Sequence, residues 1–200
     1  MSMRPEIYGV DLKPIRAIFG SGDEHIFEKI NSAYQEKISE LFCDEPDERA
    51  EFSQKGKEII HRMVMEGVPF PDLECEDDVH VLVIDSSVKS DEHKLAGDTV
   101  DWHMQAFREL RHGCADKVDP DILYLLEVFE AGRPFLGKRI NSSWSYYGYL
   151  DAEEVKRLFA ALDELGESDY LGNSREFLFD LTDWMDGISS QNLDLYFYIS

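Results

Sequence analysis

The chain has 200 residues, 43% of them hydrophobic, and its 42 acidic against 20 basic side chains leave a net charge of −22. That size and apolar content specify a folded globule with a substantial core. The charge repels phosphate backbones and anionic lipid, which argues against nucleic acid and membrane surfaces as partners. What remains is a basic protein partner, a cation, or plain solubility.

The N-terminal segment "MSMRPEIYGVDLKPIRAIFG" lacks the apolar run of a signal peptide. No segment approaches the roughly 20 apolar residues of a membrane span. Cys43, Cys75 and Cys114 are odd in number, widely spaced and without a CxxC, so neither a disulfide framework nor a structural zinc site is expected. These features predict a cytoplasmic protein.

Residues 6–11, "EIYGVD", read as a short strand, after which Asp11 caps a brief helix stopping at Gly20. Ser21 and Glu24 have capping-box spacing and open a long helix whose buried stripe is Ile26, Phe27, Ile30, Tyr34, Ile38, Leu41 and Phe42. A second helix carries Phe52, Ile59, Ile60, Met63 and Val64 and ends at Gly67. Residues 79–85, "VHVLVID", are β-branched and almost wholly apolar, and the pattern predicts a strand covered on both faces.

A polar loop then leads to a helix over about 99–112, and Asp119-Pro120 opens "DILYLLEVFEAG" as another. Beyond the irregular "RPFLGKRINSS" lies "WSYYGYL", a strand feeding a helix in which Asp151 and Glu154 have capping spacing. Val155, Leu158, Phe159, Leu162 and Leu165 form the stripe of that helix, and Gly148 marks a bend or close backbone approach. A last helix over about 174–187 presents Phe177, Leu178, Leu181, Trp184 and Met185. In the closing "LDLYFYIS", Leu193, Leu195, Phe197 and Ile199 alternate with Asp194, Tyr196 and Tyr198 as in a half-buried strand. The order predicts an α+β fold, with helices on a small mixed sheet that includes both terminal strands.

Several landmarks resemble bacterial YfbM-like proteins and a related family of unknown function: the N-terminal "YGVD", the helix "IIHRMVMEG", the loop "FLGKRI" before "YYGYLDAEEVKRLFAAL", and the final helix and strand. The resemblance implies one α+β domain over residues 1–200, a bacterial and cytoplasmic setting, and no assigned activity. Residues 68–132 depart from the YfbM pattern as an elaboration or insertion.

No constellation specifies a reaction. Of the histidines His61, His80, His93, His103 and His112, the last two fall nearly opposite on a helix, and HExxH is absent. Glu109 and His112, three residues apart, share a helical face and suit acid–base work or simple solvation near a helix C-terminus. His103 shares an apolar face with Phe107 and Leu110, as core histidines do. Asp85 closes the expected central strand but lacks a nucleophile elbow after it. Cys114, beside His112, is a thiol candidate or a small core filler. No metal and no cofactor are expected, since neither ligand spacings nor glycine-rich phosphate loops are present.

Trp144 and Tyr146 point one way along a strand and Tyr147 and Tyr149 the other, so these rings are either a binding platform or sheet cover. The favoured expectation is a non-enzymatic domain that binds a basic protein, with an immunity or antitoxin-like role as one version. The alternative is a small-molecule hydrolase using His103, Glu109, His112 or Asp85.

Overall fold

The computed structural model describes residues 5–69, 77–89, 104–134, 146–165 and 174–199. Its elements are β1 (Pro5–Val10), α1 (Leu12–Ala17), α2 (Glu24–Leu41), α3 (Pro46–Val64), α4 (Asp77–Lys89), α5 (Met104–Cys114), α6 (Pro120–Ala131), β2 (Tyr146–Leu150), α7 (Ala152–Leu165), α8 (Ser174–Ser190) and β3 (Asp194–Ile199). The fold is α+β. The chain divides into two compact units, one holding the sheet with α5–α8 and the other holding α1–α4.

In the first unit the strand order is β1-β3-β2, and the C-terminal strand lies at the centre. Both pairings are antiparallel, with Ile7 and Gly148 opposite Phe197 on either side. The terminal strands therefore pair, as their isolation in sequence required. β3 is buried on both faces: Tyr196 and Tyr198 are as enclosed as Leu195, Phe197 and Ile199. The half-buried pattern expected there fails because tyrosine counts as a polar residue in an alternation, whereas its ring buries readily. Tyr196 stacks between Tyr8 and Tyr147 at centroid distances of 6.3 and 6.2 Å.

On the other face Phe197 lies across Gly148. A Cβ on Gly148 would stand 2.4 Å from the Phe197 ring and 3.0 Å from the Arg133 nitrogen, so only glycine fits. From Phe197 a chain of rings runs outward: to Phe129 of α6 at 4.9 Å, on to Phe107 of α5 at 4.7 Å, and then to Phe177 of α8 at 4.6 Å. Three helices are thus fastened to the central strand through one aromatic series, each contact in a favoured stacked or edge geometry.

Local signals act as read in several places. Asp151 accepts from the Glu154 nitrogen at 2.9 Å and Glu154 accepts from the Asp151 nitrogen at 3.0 Å, a complete capping box at α7. Asp11 caps α1 through the Lys13 nitrogen at 2.9 Å. At α2, however, the cap is Asp23, which accepts from the nitrogens of His25 and Ile26. Ser21, expected in that role, instead accepts from the Asp23 nitrogen and lies two residues too early.

The second unit contains the main correction. Residues 79–85 form no strand; they lie inside α4, and with them goes the mixed sheet that a central strand implied. Every residue from Val79 to Val88 is buried, so the helix has no wet face and no amphipathic period to betray it. Ser86 and Ser87, read as loop, donate back to the Leu82 and Val83 carbonyls at 2.7 and 2.8 Å, which hides their hydroxyls within the helix. Packing against α2 and α3 overrides the β-propensity of its valines.

α2 and α3 meet where Gly56 faces the buried Tyr34, whose hydroxyl donates to the Phe52 carbonyl at 2.8 Å. At the end of α3, Gly20 and Gly22 donate to the Met63 and Val64 carbonyls, both at 3.0 Å, and so satisfy acceptors the helix leaves open. Leu41, expected in the α2 stripe, is instead 53% exposed at the end of the helix.

Two tests follow from this packing. Gly56→Ala gains about 1 kcal/mol of helix propensity but sets a Cβ 2.1 Å from the Tyr34 ring. Overpacking should win, with a net loss of about 1–3 kcal/mol read as a lower urea midpoint at unchanged slope. In the first unit Glu130 accepts from Arg111 Nε at 2.6 Å and Arg108 Nε at 3.2 Å. Burial pushes its carboxyl up, but the two arginines outweigh burial and hold it below the usual 4.5. A depressed folded value stabilises above the ordinary carboxylate range and is lost as pH falls through it. Glu130→Gln should therefore cost about 1–3 kcal/mol near neutrality, and the gap from wild type should close as denaturation curves are taken to lower pH.

Candidate functional site

The residues singled out by sequence belong to both units. Glu109 and His112 lie on α5 and are both solvent-exposed; the Glu109 carboxylate accepts from Gln105 Nε2 at 2.7 Å. Cys114, at the end of the same helix, is wholly buried in the core of the first unit. His103 lies outside the described residues. Asp85 belongs to the second unit, where it is fully buried on α4 and stands 3.8 Å from Lys37 Nζ of α2. A cavity of about 220 Å³ opens beside this pair, with Glu36 and Glu40 on its α2 wall. His80 is likewise fully buried on α4.

Of the aromatic cluster, Tyr147 is core, 2% exposed and stacked on Tyr196. Tyr149 is half-buried, with the Arg133 guanidinium 4.8 Å from its ring centre. Arg133 also pairs with Glu154 at 2.5 Å. Burial works against its charge, but the Glu154 carboxylate outweighs that and raises the guanidinium above its ordinary value. The guanidinium over Tyr149 is thus also committed to the α7 cap. Tyr146 is described through its backbone pairing with Ile199, and Trp144 lies outside the described residues.

Among the described residues, no group of three or more His, Cys, Asp or Glu side chains could hold a metal ion. Likewise, no described helix is long and apolar enough to cross a membrane.

The surface feature with the clearest chemistry is a groove between α7 and α8, of about 600 Å³. Phe159 and Asp163 line it from α7, four residues apart and so on one face. From α8 come Phe179, Asp183 and Asp186 at successive turns, joined by Asp180. Phe179 is 43% exposed, one of few large apolar side chains among the described residues left in solvent, whereas Phe159 packs partly on the core. Thr182, at the groove wall, donates to the Leu178 and Phe179 carbonyls at 2.9 Å each. Its hydroxyl hydrogen is therefore turned into the helix. The groove combines ring surface with four carboxylates.

Sequence reasoning placed Phe159 in a buried stripe and passed over Phe179. A signal was present: the α8 stripe of Phe177, Leu178, Leu181 and Met185 accounts for its buried face, leaving Phe179 outside that face beside a recurring Asp180-Asp183-Asp186. Only the neighbouring α7 makes that outlying strip into a groove.

The chain matches no protein-family model, no curated protein and no solved structure.

The Lys37–Asp85 pair yields a stability test. Lys37→Met takes a cation from beside a fully buried carboxylate, which should lower unfolding free energy by roughly 3 kcal/mol, since the lysine end is itself 21% exposed. Chemical denaturation measures it, and the effect should persist at high salt because the carboxylate is shielded from counterions.

Proposed function

We propose that this chain is a non-enzymatic protein-binding domain whose α7/α8 groove receives a basic segment of another protein. The observation that carries the reading is the union, in one groove, of four aspartates with the exposed Phe179 ring. A chain with net charge −22 attracts cationic partners from a distance, but diffuse charge selects no site. An apolar floor ringed by acids does, because ring contact desolvates the place where the charges meet.

The YfbM-like order of motifs supports a bacterial and cytoplasmic setting. An immunity or antitoxin-like role is one concrete version, in which the acidic domain masks a basic partner; it draws on charge and small size. The hydrolase alternative gains no support from the described residues, where Glu109 and His112 are solvated and Asp85 is enclosed.

The reading is tested by titrating a short synthetic Lys/Arg-rich peptide into the protein by calorimetry. Affinity should fall steeply with sodium chloride, as the Debye length shrinks from about 8 Å at physiological ionic strength to about 3 Å at 1 M. Converting Asp163, Asp180, Asp183 and Asp186 to Asn should weaken binding by at least about tenfold. Converting the equally exposed Asp44, Glu45, Asp47 and Glu48 to amides removes the same formal charge and should change it little. Equal loss in both variants would assign the attraction to bulk charge and defeat the groove.

A further inference from the structure

The groove's polar atoms and its rings narrow the partner further. Resting on the reading that a basic segment binds there, we propose that the groove is an arginine reader: it takes guanidinium groups in preference to ammonium groups. Two observations converge. First, its side-chain polar atoms act as acceptors. Asp163, Asp180, Asp183 and Asp186 carry carboxylates, and the Thr182 hydroxyl already donates to its own helix. The ligand that best matches such a lining is a permanent cation that donates and does not accept, which among side chains means arginine or lysine.

Second, the Phe179 ring already holds a guanidinium. Arg175, one turn earlier on α8, sets its Cζ 5.7 Å from the Phe179 ring centre, within the range of cation–π attraction. With Arg175 in place the ring is still 43% exposed, so surface remains for a second planar cation, and the chain supplies its own example of the contact. Arginine can stack on such a face while its fork of N–H groups bonds a carboxylate in two places. Lysine brings a compact, strongly hydrated charge that meets the aspartates but gains less from the ring. The discriminating element is thus Phe179, and the aspartates supply attraction common to both cations.

The experiment compares two peptides of equal length and charge, one with arginine and one with lysine at every basic position, against the full chain. Wild type should bind the arginine peptide about tenfold more tightly, the scale of a desolvated cation–π contact. Phe179→Leu, at a side chain already 43% exposed, should keep the thermal midpoint and abolish the preference, by weakening the arginine peptide more than the lysine peptide. Equal affinity of the two peptides for wild type, or a preference that survives Phe179→Leu, overturns the arginine reading while the basic-groove reading stands. Binding of both peptides that is insensitive to the four Asp→Asn changes overturns the groove itself.

Discussion

The first unit depends on one steric concession: Gly148 of β2 leaves room for the Phe197 ring of β3. Phe197 sits at the centre of the sheet, and its ring passes contact to Phe129, Phe107 and Phe177 on three different helices. A side chain at position 148 would lift that ring, and with it the stack on which α5, α6 and α8 converge. Aromatic series of this kind tie distant elements because each ring offers two faces and an edge. The strand that carries Phe197 is the last of the three in chain order, so the sheet closes only when β3 enters between β1 and β2.

The second unit rests on a comparable concession with the opposite chemistry. Gly56 lets α3 approach Tyr34 of α2 closely, and the tyrosine's hydroxyl then finds a backbone acceptor in Phe52. α4 packs against both helices and is buried around its whole circumference, with its histidine, aspartate and serines enclosed. A helix so placed needs its hydroxyls satisfied locally and its charge paired, and Ser86, Ser87 and the Lys37–Asp85 pair meet that need.

The function proposed for this chain rests on a surface groove and not on a buried constellation. The net charge of −22 favours cationic partners in the proposed reading, but it is spread along the sequence and confers no address. The address comes from geometry: α7 and α8 pack side by side, and the strip that each leaves outside its buried stripe faces the other's. Ring surface from both helices is thereby gathered between four carboxylates. The α7 cap, held by Asp151, Glu154 and Arg133 and anchored to β3 through Asp194 accepting from the Ala152 nitrogen at 2.8 Å, fixes one wall of that groove.

What the sequence alone determined was local or edge-to-edge. Helix caps at Asp11 and Asp151, most of the stripes of α3, α7 and α8, the pairing of the two terminal strands, and a bend or close approach at Gly148 were all legible. Each is written in neighbouring residues or in a period of two or 3.6. Burial on all sides erased that writing. "VHVLVID" lacks a period because every residue in it is enclosed, so helix and strand look alike until α2 and α3 are in place. The same holds in reverse for "YFY" in β3, whose tyrosines mimic a wet face and are buried. The groove lay beyond sequence for a simpler reason: Phe159 and Phe179 belong to different helices, and only the packing of α7 on α8 sets their rings among the same aspartates.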